Sequence, residues 1–438
     1  MRKILLLILL VPVLTVSAQT AKVISIDSVV KMGLANSKQL KISAAKILNA
    51  QAKYKEAVDG AYPVVSAGAS YQRINDVPVI AADLPPYGFI TFIPNIPNNY
   101  AVSANASELL FNGFKLKYSE EAAQLSQKAA QMDAATDSAG IILNLQNYYI
   151  NFYKAVMSKK AVEQSLKELN QHLTDAQNLK SNGAATNNDI LKVQLLISNA
   201  QITELDLDNN IKVINYDMNI TLGLPDNTLL IPDTTTSFSG STDKTFDQLL
   251  QQALTSRPEL GAADYRNKMA LKYLDIAHGN IFPSLSLIGQ DEYANPNRNF
   301  FPYVLGFKDN WAVGINLSWN ITNLFTNKHN VEDASTLALQ AKINYDQLND
   351  NIKMSVNQTY LNYVESKDKI KVAQTAIDQA QENYKELYDR YKNQVASSTD
   401  LSDAETLLLQ ARISYSNTQA DAQLAYYQLL NSAGTKIK

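Results

Sequence analysis

Two periodicities divide this chain. Residues 310–320 read NWAVGINLSWN, in which Trp311, Val313, Ile315, Leu317 and Trp319 alternate with Ala312, Gly314, Asn316 and Ser318. A repeat of two puts all the large apolar side chains on one face of a strand. Comparable alternation runs through residues 62–73, 99–108 and 282–293. Val65, Ala67, Ala69 and Tyr71 share a face of the first, Tyr100, Val102, Ala104 and Ala106 a face of the second, and Leu285 and Leu287 mark the third. Elsewhere the apolar steps are three and four. Ile370, Ala373, Ile377, Ala380, Tyr384, Leu387 and Tyr391 form one heptad seam, and Val162, Leu166, Leu169, Leu173 and Ala176 form another. Seams of this kind belong to long helices packed side by side.

Proline marks where those helices can lie. None occurs between Asn98 and Leu224 or between Tyr303 and Lys438, whereas Pro78, Pro85, Pro86, Pro94 and Pro97 crowd one interval and Pro296 and Pro302 another. Proline costs ~3 kcal/mol inside a helix. The free tracts therefore predict long helices at about 112–181 and 322–392, each followed by a shorter one, at about 187–222 and 399–433. The proline clusters are expected to be loops. At 1.5 Å per residue each long helix would measure roughly 100 Å, more than a compact globule can enclose.

The two halves align on one another. Residues 25–70 lie over 245–290 without a gap, bringing Asp27 to Asp247, Leu34 to Leu254, Leu40 to Leu260 and Pro63 to Pro283. From Tyr100 to the end, a second register brings Asn105 to Asn316, Tyr149 to Tyr360, Asp189 to Asp400 and Gly223 to Gly434. This predicts a duplication: a first repeat over 19–225, a linker over 226–244 and a second repeat over 245–438. Each repeat reads helix, strand pair, long helix, helix.

The strands carry a further implication. Trp311 and Trp319 stand about 26 Å apart at ~3.3 Å per residue, close to the ~25 Å apolar band of an outer-membrane barrel, whose edges indoles favour. An amphipathic strand of a soluble sandwich would alternate in the same way, but the long helices beside it favour the barrel. Four strands cannot close one, and lipid does not tolerate an open edge. Several chains must therefore share a barrel, and three copies would supply twelve strands.

Composition narrows the class. Charged residues make up 18% and mean hydropathy is -0.20, which excludes a multi-pass helical membrane protein. The one long apolar run opens the chain: MRKILLLILLVPVLTVSAQT has Arg2 and Lys3, an apolar stretch from Ile4 to Val16, then Ser17-Ala18. That is the form of a secretory signal peptide over 1–18, too short for an anchor. No cysteine is present, so disulfides, thiolate metal sites and a lipidated cysteine are all excluded. The balance of 39 basic to 42 acidic residues gives nucleic-acid binding no support. No nucleophile–base arrangement or phosphate-binding loop is visible, and no enzyme activity or cofactor is expected. His172, His278 and His329 lie far apart and read as isolated solvated or packing residues, without the spacing of a metal site.

The segments ALTSRPEL (253–260), LGLP (222–225) and above all YKNQVASSTDLSDAETLLLQA (391–411), with Tyr391, Asp400 and Asp403, make the chain similar to the TolC-like outer-membrane efflux protein family. The resemblance covers essentially the whole mature sequence. It implies a mainly α protein with a membrane β-barrel: a homotrimer whose 12-stranded barrel sits in the lipid of the bacterial outer membrane. A long α-helical barrel with coiled-coil tips would continue from it into the periplasm. The resemblance also implies a passive conduit of a tripartite efflux or type I secretion system. Such a conduit docks to a periplasmic adaptor (membrane fusion protein) and an inner-membrane RND or ABC-type pump. Two other readings compete: a soluble periplasmic coiled-coil scaffold or adaptor, and a heavy-metal-cation exporting channel of the same fold, which no Met or His cluster supports.

Candidate site residues follow. Asp400 and Asp403 come after a polar turn and share one face of a helix start. In a trimer each would form a ring of three carboxylates that favours cations. The competing role is capping, with Asp400 at the N-cap and Asp403 against the helix dipole. Asp189 is the repeat partner of Asp400, and Lys192, opposite Asp403, would partly neutralise the acidic ring. Tyr391 continues the heptad seam, as a packing residue or a gating hydrogen bond. The resemblance implies an arginine where Ala396 stands, and Lys392 is near enough in sequence to replace it. The tips SNGAAT (181–186) and QVASST (394–399) offer Gly183, Ala184, Ala185, Val395, Ala396 and Ser397 as adaptor contacts. Trp311 and Trp319 are the expected membrane-interface aromatics.

Overall fold

The computed structural model describes residues 21–75, 79–93, 95–234, 241–301 and 305–435. The signal peptide expected over 1–18 lies outside the described residues, as do Pro78, Pro94, Pro302, Tyr303 and part of the 226–244 linker. In chain order the first half holds β1 (Lys22–Ile24), α1 (Ile26–Asn36), α2 (Lys38–Asp59), β2 (Val64–Arg73), β3 (Ile80–Asp83), β4 (Phe89–Ile93), β5 (Asn98–Phe111), α3 (Lys115–Ser181) and α4 (Asn187–Leu222). The second half holds β6 (Leu230–Pro232), α5 (Phe246–Ser256), α6 (Pro258–Gly279), β7 (Ser284–Asn295), β8 (Lys308–Ser318), α7 (Asn323–Thr326), α8 (Lys328–Lys392) and α9 (Ser398–Ser432). Among the described residues no helix is long and apolar enough to cross a membrane.

Packing divides these residues into two compact units. One takes the described chain up to Lys41, Ala135–Arg257 and the chain from Asn351 onward; the other takes Ile42–Ala134 and Pro258–Asp350. The first unit is helical. Val29 and Val30 of α1 pack with Leu145, Tyr149, Ile150 and Phe152 of α3 and with Met218 and Leu222 of α4, all buried. Burying each such side chain stabilises by about 1.5–3 kcal/mol. The strands β1 and β6 pair in parallel, Lys22 with Leu230 and Ile24 with Pro232, and seat Ile24 in the same core. The interval around β6, expected as plain linker, therefore contains a strand. Further along, Val162 and Leu169 of α3 meet Val193, Ile197 and Ala200 of α4, with Leu166 and Leu173 packed alongside. The heptad pattern thus fills a seam between consecutive antiparallel helices.

The second unit is built on a four-stranded sheet in the order β2-β5-β7-β8, antiparallel throughout, with β2 and β8 as its edges. Gly113 lies between β5 and α3 with φ 72. A Cβ there would stand 2.9 Å from Cβ of Phe282, so the close approach of strand end to helix start needs glycine. Asn327, between α7 and α8, donates from Nδ2 to the Ala277 carbonyl at 2.8 Å and ties the start of α8 to α6. The proline-rich interval expected as a loop carries a second hairpin, β3 paired with β4. Pro85 and Pro86 sit in its turn, where they do not interrupt the ladder, and the flanking IAAD and FITFI supply the strands.

Candidate functional site

The register of the sheet fixes which side chains share a face. Val65 pairs with Ala106, Ala67 with Ala104, Ala69 with Val102 and Tyr71 with Tyr100. Ala106 pairs in turn with Gly289, and Val102 with Tyr293. Leu285 pairs with Leu317, Leu287 with Ile315, Gly289 with Val313 and Asp291 with Trp311. The alternation of all four strands is therefore in phase, and one face of the whole sheet is apolar. Glu108 and Asp291 interrupt it, and Arg73 and Asp309 lie at its margin. The opposite face carries Ser66, Ser70, Ser103, Asn105, Ser286, Gln290, Asn316 and Ser318, with few charges.

Neither face covers a core. Val65 is 74% exposed, Trp311 71% and Ile315 69%, and every residue of β2 is exposed. An apolar face this large and open marks a contact with lipid or protein. Aromatic rings gather at both of its ends. At one, Tyr71 and Tyr100 lie 5.0 Å apart and Tyr293 stacks on Phe307 at 5.0 Å. At the other, Phe111 meets Phe114 at 5.3 Å, and the Trp319 indole N–H donates to the Ile281 carbonyl at 3.0 Å. The two tryptophans expected as interface aromatics are both exposed, Trp311 at 71% and Trp319 at 51%; the other rings come together only through the register of the sheet.

The second set of candidates lies at the helical turns of the other unit. Both turns are built alike. After α3, Gly183 N–H donates to Lys180 O (2.9 Å) and Ala184 N–H to Leu179 O (2.8 Å); after α8, Gln394 N–H donates to Tyr391 O and Val395 N–H to Arg390 O, both at 2.9 Å. The left-handed position is Gly183 in one (φ 79) and Gln394 in the other (φ 60). Thr186 and Ser397 then start α4 and α9 with matching capping boxes. Asp189 Oδ2 accepts from the Thr186 N–H (2.9 Å) and hydroxyl (2.7 Å), and Asp400 Oδ2 from the Ser397 N–H (3.1 Å) and hydroxyl (2.7 Å). These hydrogen bonds hold both carboxyls below the usual aspartate range. The N-cap expected at Asp400 is thus Ser397, because Asp400 sits in the first helical turn and reaches back.

The remaining tip residues are placed as follows. Asp403 is exposed one turn beyond Asp400. Lys192 donates to Thr399 Oγ1 at 2.9 Å, joining α4 to α9. Lys392 lies 5.4 Å over the Tyr388 ring. Ala184 and Ser397 are exposed, Ala185 and Ala396 half-buried, and Val395 is 75% exposed. Tyr391 is 4% exposed, and burial pushes its phenol up.

Tyr391 packs against His172, for which the sequence left a solvated or a packing role open, and the structure gives the packing one. Its ring meets the His172 ring edge-on at 4.9 Å. His172 is 0% exposed, and its Nδ1 lies 3.0 Å from Oε2 of Glu405, which is 3% exposed. His172 is neither isolated nor solvated. Its partner is 233 residues away, and no local motif signals the pair.

A family model described as outer membrane efflux protein matches residues 29–216 and 249–435, one stretch in each half of the chain. Among curated proteins, none matches this chain. Solved structures with a similar fold include CusC, at 19% identity and TM-score 0.79 over 93% of this chain and 92% of that one. VceC from Vibrio cholerae has 16% identity and TM-score 0.77 over 93% and 96%. CmeC from Campylobacter jejuni, described as an outer membrane channel, has 17% identity and TM-score 0.76 over 94% and 85%.

Proposed function

This chain belongs to the outer membrane efflux protein family, and on that footing we propose that it is the outer-membrane channel of a tripartite efflux system. The observation that carries the reading furthest is the sheet with one apolar and one polar face, both open. A polypeptide segment with these two surroundings fits a wall between lipid and water. The edges β2 and β8 leave backbone donors and acceptors that lipid cannot satisfy. Pairing β8 of one copy with β2 of the next removes both edges, and three copies close a 12-stranded barrel. Its lumen is then lined mainly by serine, asparagine and glutamine, with Glu292 and Lys308 among its few charges, a wet surface that selects solutes little by charge.

The long helices continue this barrel as a helical conduit into the periplasm. Its narrow end lies at the paired turns, where three copies of Asp403, with Asp400 and Asp189 beside them, form acidic rings. Lys192 and Tyr391 belong to the same constriction. The turn residues Gly183, Ala184, Ala185, Val395, Ala396 and Ser397 meet a periplasmic adaptor, which connects to an RND or ABC-type pump in the inner membrane. The channel performs no chemistry; the pump supplies energy and chooses cargo. The mature protein, extracted in detergent and added to a planar bilayer, is expected to give discrete conductance steps and to run as a trimer. A mature chain that stays monomeric in buffer without detergent and never conducts would instead mark a soluble scaffold.

A further inference from the structure

The buried imidazole beside the helical turns has no part in the conduit so far described. His172 lies on α3, and charged or titratable groups surround it from its own helix and three others. From α9 come Glu405 at 3.0 Å and, through Nε2, the Ser398 hydroxyl at 3.3 Å. Arg412 of α9 is held in a bidentate pair by Glu168 of α3, at 2.8 and 3.0 Å. From α8 come Tyr391, Tyr384 and Tyr388, whose hydroxyl donates to Asp175 of α3 at 3.0 Å. From α4 comes Asp189, whose carboxyl is held down chiefly by the Thr186 hydrogen bonds and, to a smaller extent, by Lys192 and His172. Glu405, Glu168, Asp175 and Asp189 outnumber Arg412 and Lys192, so the surroundings are acidic whenever the imidazole is neutral.

We propose that His172 is a proton-sensitive latch, fastening the start of α9 and the end of α8 to α3 when charged and releasing them when neutral. Both hydrogen bonds can form in either state: the neutral ring donates from Nδ1 to Glu405 and accepts at Nε2 from Ser398, and the charged ring donates at both. What differs is charge. With imidazolium the buried pair is balanced. With neutral imidazole a carboxylate remains in the interior with no countercharge in contact, and its Oε1 has no hydrogen-bond partner among the described residues. Leaving one member of a buried pair uncompensated is strongly destabilising, and a missing hydrogen bond adds to that. The latch therefore holds while the imidazole carries its second proton and loosens when that proton is lost. Its consequence for opening rests on the conduit reading; the latch itself does not.

Hydrogen exchange of residues 398–408 in the full-length protein tests this at a lower and a higher pH, about 6 and about 8. The variants are His172→Gln and the pair His172→Gln with Glu405→Gln, whose amides can bond without charge. Comparison at equal pH cancels the intrinsic exchange rate. Wild type is expected to match the double variant at the lower pH and to exchange roughly tenfold faster at the higher, while His172→Gln alone exchanges fast at both. Wild type tracking the double variant at both pH values overturns the latch, whether or not the single variant folds. Open probability in a bilayer, measured in parallel, should rise with pH in wild type and stay flat in the double variant. Exchange that responds to pH in a protein that never conducts keeps the latch and removes the conduit; conductance with exchange that ignores pH does the reverse.

Discussion

Gly183 and Gln394 occupy the same place in two turns of identical hydrogen bonding, yet only one of them is suited to it. A left-handed backbone costs a residue with a side chain about 1–2 kcal/mol, and glycine almost nothing. Against that, glycine gives the unfolded chain more freedom, which offsets part of the gain. Gln394→Gly is expected to stabilise the second turn by roughly 0.5–1 kcal/mol, seen as a higher denaturant midpoint with unchanged slope. A change of the opposite sign would mean that the Gln394 side chain makes an interaction worth more than the strain. Gly183→Gln should show the reverse effect of similar size, since a Cβ there meets nothing within 4 Å and the cost is conformational alone.

At the scale of elements, β8 offers the sharpest test because neighbouring residues face opposite surroundings. Ile315 pairs with Leu287 on the apolar face, and Asn316 pairs with Ser286 on the polar one. Ile315→Lys is expected to destabilise the protein in lipid vesicles by about 2–4 kcal/mol, whereas Asn316→Lys should change stability little and conductance measurably. Equal effects from the two would dismiss the two-faced wall. That this strand could be read from the sequence follows from the same physics: a strand between lipid and water must alternate, and a one-residue slip would reverse every side chain. The α3–α4 seam was legible for the parallel reason that helix packing selects steps of three and four. The hairpin β3–β4 was not, because two prolines in its turn resemble a break in structure. Nor was the His172–Glu405 pair, whose members meet only through the packing of α3 against α9. The capping boxes did have a local signal, Thr186-x-x-Asp189 and Ser397-x-x-Asp400, in which the hydroxyl residue is the N-cap and the aspartate reaches back to it from the first turn.

For the whole molecule, the two neighbouring aspartates separate capping from conduction. Asp400 is tied to Ser397, and its depressed carboxyl contributes to the start of α9 above the ordinary aspartate range of about 3.9; that contribution disappears as pH falls through its lowered value. Asp403 makes no such tie among the described residues and stands exposed one turn on. If three copies surround a pore, Asp403→Asn should lower cation selectivity, read as a shift in reversal potential under a salt gradient, with no change in exchange of the α9 start. Asp400→Asn should do both, since it removes a charge from the ring and weakens the acceptor in the capping box. Selectivity unchanged in Asp403→Asn and in the double variant would leave these residues as helix-start chemistry and move the constriction elsewhere along the conduit. A selectivity change confined to Asp400→Asn, accompanied by faster exchange, would mean that the shape of the turn, rather than the charge upon it, sets the passage.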